Sequence, residues 1–492
     1  MRSFIRVFFF GVTPAVAFGA CFGGASTRAR DAGDDPPVLA DVSVGDTGGS
    51  EPEPVQEVAP PPVDSEGGLP AAYCDLPGSL VFGPNGGKTI VAGGKETPSL
   101  DWLTLPAGFC AHYFAHVQTA RQIRFAPGGE LFVASPSTGT AGGAPQGLGA
   151  IVVLFDDNRD GYADGDVFPH ADSSSQDLDL FQSGAGWAST QGILFAPGYF
   201  YYQYTSASPT TSSVGGTSIM RIPYASGQRA PSGTPEQVAN ITIYESFPHF
   251  PKTLDIADDG TIFVGNGGDE GQACNPSVFP IPFTGGVLSI GGAGDPVGGT
   301  PVASGFRNPI AIRCQRGHDL CFAIELGLDS SKGSGGREKI VPIRSGDYWG
   351  FPCCATANVP YYDVIGTPDC STVPTEPVSF VIGDTPFGLD FETGAWAAPY
   401  TNDIVVVLHG TVGFFVGARV VAIPTQANGM PVPSSDLGSS TFTNLATGWD
   451  DGHQDHGRPA AVSFSTDGRV FIANDFTGDI FWIAPGSLPI KP

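Results

Sequence analysis

The chain has 492 residues and a formal net charge of −26, with charged residues at only 15% and unusually many glycines (69) and prolines (45). So large an acidic excess excludes nucleic acid and anionic lipid surfaces as partners. A hydrophobic fraction of 41% supplies one large core or two ordinary ones, and short Val/Ile/Phe/Tyr runs between Gly, Pro, Asn and Asp turns read as all-β.

Residues 1–20, MRSFIRVFFFGVTPAVAFGA, set Arg2 and Arg6 before an apolar run that ends in small residues. This is the pattern of an export signal, too short for a spanning helix with stop-transfer flanks. Gly19-Ala20-Cys21 resembles the end of a bacterial lipoprotein signal, which makes Cys21 the lipidated first residue of the mature chain; plain secretion is the alternative. Either way the expected location is periplasmic or at the cell surface, with any membrane contact made through the lipid. Residues 21–72 are rich in Asp, Glu, Pro and Gly and nearly free of aromatic residues. They bury too little apolar surface to offset chain entropy, so a disordered acidic tether is expected there and a folded domain over 73–492.

Beyond Cys21 there are eight cysteines, an even number suited to disulfides in an exported protein. Cys314 and Cys321 flank a QRGHDL turn and are expected to pair across it, and Cys74 with Cys110 would staple the entry to the domain. Adjacent Cys353 and Cys354 should go to separate partners, which leaves Cys274 and Cys370 for them.

A loose repeat runs through the folded part. RFAPGGELFVAS (124–135), LFAPGYFYYQY (194–204), DIADDGTIFVGN (255–266) and SFSTDGRVFIAN (463–474) each read as strand, tight turn, strand. AIRCQRGHDLCFAIE (311–325) and GLDFETGAWAAPYTNDIVVVLHG (388–410) are less regular members. Six such hairpins predict a six-bladed β-propeller, and the stretches 205–245 and 355–385 between them are expected to be loops crowding one face.

Candidate chemistry follows in chain order. Asp156, Asn158, Asp160 and Asp164, with Gly161 between, follow the spacing of an EF-hand-like calcium loop. Position 12 is Val167, so a structural Ca²⁺ on a propeller loop is expected rather than an EF-hand pair. In FPHFPKTLDIADDGTIFVGNGGDEGQACN (247–275), His249 precedes a hairpin turning on Asp259-Gly260, where a loop would hold it at a sheet end. GFRNP (305–309) puts a planar cation and an amide side by side before an apolar run, suited to an oxygen-rich anion or to a structural turn. Serine-hydrolase, nucleotide-binding and nicotinamide motifs are absent.

GFRNP resembles the G-[HFLY]-R-N-P motif of the quinoprotein glucose/sorbosone dehydrogenase family, six-bladed propellers that bind pyrroloquinoline quinone and calcium. Five further stretches resemble that family in unbroken order. They are the His249 hairpin with GQACN after it, Arg121 in TARQIRF, GDYWGFPCC (346–354), His409-Gly410, and Gly457-Arg458-Pro459. The resemblance implies oxidation of a sugar or polyol hydroxyl, with His249 as base, hydride passing to the quinone, and an onward electron acceptor. It implies Arg307 as stabiliser of charge on the quinone oxygen, and Arg121, Asn308, Trp349, His409 and Arg458 as further cofactor contacts. It also implies backbone carbonyls of Gly327 and Leu328, in ELGLD (325–329), as calcium ligands. The family's H-G-S-W-N-R reads HGTVGFF here, so one cofactor-facing cation of that motif is missing. The competing expectations are a non-catalytic propeller that binds carbohydrate or protein, and a propeller lactonase, whose acidic calcium cluster this sequence lacks.

Overall fold

A computed structural model describes residues 56–58 and 70–490, apart from 137–148, 166–178, 185–189, 206–214, 244–248, 250–252, 269–273, 275–284, 292–297, 362–367, 412–414, 437–440 and 452–454. The chain divides into two units, Met1–Pro52 and Glu53–Pro492, and every described residue belongs to the second. The export signal, Cys21 and most of the expected tether thus lie outside the described residues. One piece of that tether is ordered after all: Gln56–Val58 pairs in parallel with Lys88–Val91 as an edge strand.

The architecture is a six-bladed β-propeller. Blade one comprises Gln122–Phe125, Leu131–Ser135, Gly149–Leu154 and Asp179–Gly184, in sequential antiparallel order. Blade two comprises Ile193–Ala196, Tyr199–Thr205, Gly215–Pro223 and Glu236–Ile243. Blade three follows with Leu254–Ile256, Ile262–Asn266, Gly286–Ile290 and Thr300–Ser304. Blade four is Asn308–Gln315, Leu320–Leu326, Arg337–Pro342 and Val378–Val381. Blade five is Pro386–Phe391, Ile404–Leu408, Arg419–Ile423 and Thr443–Ala446. Blade six takes Pro459–Phe464, Val470–Asn474 and Asp479–Pro485 from late in the chain and is completed by Phe109–His116 from early in it.

All six hairpins read from the sequence are the first two strands of a blade. These strands are sandwiched between neighbouring blades, so they are apolar on both faces; Ile404–Leu408, IVVVL, is fully buried along its length. Six apolar clusters fill the gaps between successive blades, one per gap. The expected loops at 205–245 and 355–385 are a correction. They contain Gly215–Pro223, Glu236–Ile243 and Val378–Val381, the outer strands of blades two and four. Outer strands face solvent at the rim, so their apolar signal is weak: in Glu236–Ile243, Ala239 and Ile241 are buried while Glu236, Gln237 and Asn240 are exposed.

Four disulfides join Cys74–Cys110, Cys274–Cys353, Cys314–Cys321 and Cys354–Cys370. Cys353 and Cys354 do go to separate partners.

Candidate active site

The first strands of the six blades touch in a closed ring around a central channel. All of them begin at the same mouth, where each antiparallel second strand ends. Any residue just before a first strand, or just after a second one, therefore sits at that mouth. Arg121, His249, Arg307 and Arg458 precede first strands, and His409 follows the second strand of blade five.

Two side-chain groups form there. In the first, blades three and four meet. Gly267 N–H donates to the His249 carbonyl (2.9 Å), Gly268 N–H donates to the Arg307 carbonyl (2.7 Å), and His249 Nδ1 lies 2.9 Å from the Gly268 carbonyl. A Cβ at Gly267 would stand 2.5 Å from the His249 Cβ, so only glycine permits this approach. Because a carbonyl can only accept, Nδ1 carries a proton. Arg307 is buried; its Nη1 donates to the Gly327 carbonyl (2.9 Å) and its Nη2 lies 3.4 Å from Asp329 Oδ2. Its backbone is fixed from below by Glu325, whose two oxygens accept from the N–H groups of Arg307 (2.6 Å) and Asn308 (3.1 Å). Burial pushes the Glu325 carboxyl up to about 7, against the opposing pull of Lys339 and those N–H groups.

The second group gathers blades one, five and six on Asp475, a residue the sequence reading did not single out. Arg121 Nη1 (3.0 Å) and His409 Nε2 (3.0 Å) meet its Oδ2, and Arg458 Nε (2.9 Å) meets its Oδ1. Burial raises the Asp475 carboxyl, but His409, Arg121 and Arg458 outweigh it and hold it well below the usual carboxylate range. Burial lowers His409 to about 4, so it is a neutral hydrogen-bonding partner at neutral pH. Its ring stacks on Phe387 with centroids 4.2 Å apart. Arg121 and Arg458 thus face one carboxylate, which leaves net positive charge, and Arg121 Nε is buried without a hydrogen-bond acceptor among the described residues.

Three expected site residues are placed differently. Trp349 is 2% exposed and packs among Val287, Phe306 and Val341 between blades three and four, so it is a core residue and not a wall of the mouth. Gly327 and Leu328 reach the mouth, but their carbonyls already have donors: Arg307 for Gly327, and Ser331 N–H (2.9 Å) and Oγ (2.5 Å) for Leu328. At the opposite end of the propeller, Asp156, Asn158, Asp160 and Asp164 close one loop on itself. Asp156 accepts from Asp160 and Gly161 N–H, Asp164 accepts from Asp157 N–H and Asn158, and Lys95 Nζ sits 3.0 Å from Asp160 Oδ2. Among the described residues no three acidic, imidazole or thiolate side chains gather as a metal-holding group.

No family model matches the chain, and no curated protein matches it. Solved structures do. The iodide structure of the Trichoderma reesei carbohydrate-active enzyme of family AA12 is 16% identical, with 80% of this chain and 100% of that one covered at a TM-score of 0.57. The apo form of the soluble aldose sugar dehydrogenase from Escherichia coli is 12% identical over 77% of this chain and 99% of that one, at 0.52. A glucose dehydrogenase is 13% identical over 78% and 99%, also at 0.52. The chain shares the propeller fold of these three proteins. Among the described residues no helix is long and apolar enough to cross a membrane.

Proposed function

We propose that the chain is an exported quinoprotein dehydrogenase that oxidises a hydroxyl of a sugar or polyol and passes the electrons to a separate acceptor. The observation that carries this reading is the hydrogen-bonded junction of His249, Gly267-Gly268 and Arg307 at the channel mouth, which fixes a base and a cation from different blades against each other. His249, with its proton on Nδ1 held by the Gly268 carbonyl, presents Nε2 to take the proton of a substrate hydroxyl. Arg307, anchored by Glu325 and the Gly327 carbonyl, supplies fixed positive charge where negative charge grows on an oxygen.

A tricarboxylate quinone fits the residues present. Arg121 and Arg458 carry more charge than Asp475 cancels, and the unmet Nε–H of Arg121 is a donor suited to a carboxylate. Pyrroloquinoline quinone would be held by Arg121 and Arg458 on one side of the mouth and by Arg307 on the other, and when bound it supplies the hydride-accepting carbon. Calcium does not fit at the loop expected for it. The Gly327 carbonyl already accepts from the Arg307 guanidinium, and that fixed positive charge beside it opposes a divalent cation.

The test is titration of the purified protein with the quinone, followed by absorbance with and without aldoses, for the wild type and His249→Ala. The expected result is quinone binding by both, with sugar-dependent reduction by the wild type alone. A wild type that binds no quinone would replace this reading with that of a non-catalytic propeller.

A further inference from the structure

Below the mouth, the channel contains a cavity with about 40 Å³ of space for water-sized molecules. Its polar lining is Arg121, Arg124, Arg313, Gln122, Gln191 and Thr253, and no carboxylate is among its lining residues. The acidic groups stand behind the arginines. Asp390 takes both Arg313 Nε (3.0 Å) and Nη2 (2.6 Å), and Asp255 accepts from the backbone N–H groups of Ile256 (2.9 Å) and Cys314 (3.0 Å) and, at 3.5 Å, from Arg313 Nη1.

Arg124 is left incompletely matched. It is 5% exposed, its Nη1 is 3.5 Å from Asp255 Oδ2 without hydrogen-bond geometry, and its Nη2 makes one long bond to the Leu254 carbonyl (3.4 Å). Among the described residues Arg124 Nε and Nη1 have no hydrogen-bond partner, and neither does Arg121 Nε on the same cavity. Buried charged donors without acceptors cost more than neutral ones, and their recurrence around one cavity calls for a ligand that is both acceptor and counter-charge.

We propose that this cavity binds one small monovalent inorganic anion, such as chloride, between Arg121 and Arg124. About 10–15 Å³ of such space suffices for one water, so the cavity admits an ion of a few heavy atoms. Arg121 borders both this cavity and the cofactor site proposed at the mouth, whereas Arg124 has no place in the cofactor site, so the inference rests on Arg124 and stands whether or not the chain is a dehydrogenase. An anion here supplies the acceptor that the Asp255 and Asp390 carboxylates do not.

Two measurements test it. Crystals of the wild type grown in bromide should give an anomalous peak in the channel within hydrogen-bonding distance of Arg124. In solution, chloride should raise the Tm of the wild type saturably above gluconate at equal ionic strength, and Arg124→Gln should lose that difference. A cavity holding water alone at high bromide would overturn the proposal, as would equal Tm curves in chloride and gluconate or an unchanged chloride response in Arg124→Gln. If Arg124→Gln does not fold, the wild-type anomalous map decides.

Discussion

The two halves of the channel mouth are built by opposite means. Where blades three and four meet, His249 and Arg307 are fixed mainly through backbone: glycine amides and carbonyls at 267–268, and Glu325 holding two consecutive N–H groups. Where blades one, five and six meet, the side chains are fixed by a single carboxylate, Asp475, with three partners on two oxygens. A backbone-built junction keeps its shape when one side chain is changed. A hub fails as a unit, because losing its centre leaves buried like charges facing each other.

Changing chemistry without shape should give the largest effect. His249→Ala is expected to lower turnover by about 10²–10⁴ while quinone affinity holds, since loss of a general base costs that much; Arg307→Ala should depress both. Steady-state rates beside an absorbance titration separate the two, and a His249→Ala enzyme at the wild-type rate would end the assignment.

Removing the hub comes next. Asp475→Ala leaves Arg121 and Arg458 without their shared counter-charge, and breaking a buried ion pair from one side costs about 3–5 kcal/mol. Urea unfolding measures it. A loss well under 1 kcal/mol would show that the cations hold themselves and that the contrast between the two halves is false.

A control away from both halves should be milder. Cys314 and Cys321 close the turn of blade four at the end of the channel remote from His249. Replacing both by serine removes a short loop constraint of about 2–3 kcal/mol at most, with quinone binding untouched. Altered binding would mean that strain at one end of a blade reaches the other.

The smallest effect is a pH slope. His409 falls to about 4 in the folded protein, below its usual value near 6.5. Between those values the unfolded chain binds the proton and the folded one does not, so this contribution to stability is lost as pH falls from about 6.5 toward 4. His112, also lowered to about 4 by burial, adds a slope of the same sign. His409→Gln should therefore shallow the acid limb of a Tm-against-pH curve without flattening it; an unchanged limb would place the proton elsewhere.

The same contrast explains how much the sequence disclosed. The first two strands of every blade were legible because burial on both faces writes an apolar run on each side of a tight turn. Outer strands such as Glu236–Ile243 look like loops in the sequence because solvent covers one side of them. At the site, His249 and Arg307 were visible because each sits in a contiguous stretch, GFRNP or the hairpin at Asp259-Gly260. Asp475 was not, because its partners lie at 121, 409 and 458 and nothing around NDFTGD marks a hub. Trp349 misled for a related reason: an aromatic residue beside a glycine motif reads alike whether it lines a mouth or fills the space between blades.

Phe109–His116 hydrogen-bonds to Asp479–Pro485, Tyr73 N–H donates to the Leu488 carbonyl (3.2 Å), and Ile490 N–H donates to the Ala71 carbonyl (3.1 Å). Segments distant in sequence thus lie side by side, and the ring has no privileged starting blade. Joining 490 to 71 through a short linker and opening the chain at an exposed turn, such as that around Gly198, should give a circular permutant with the same propeller. In the natural order, by contrast, blade six cannot form until Asp479–Pro485 has been made, so ring closure waits for that strand.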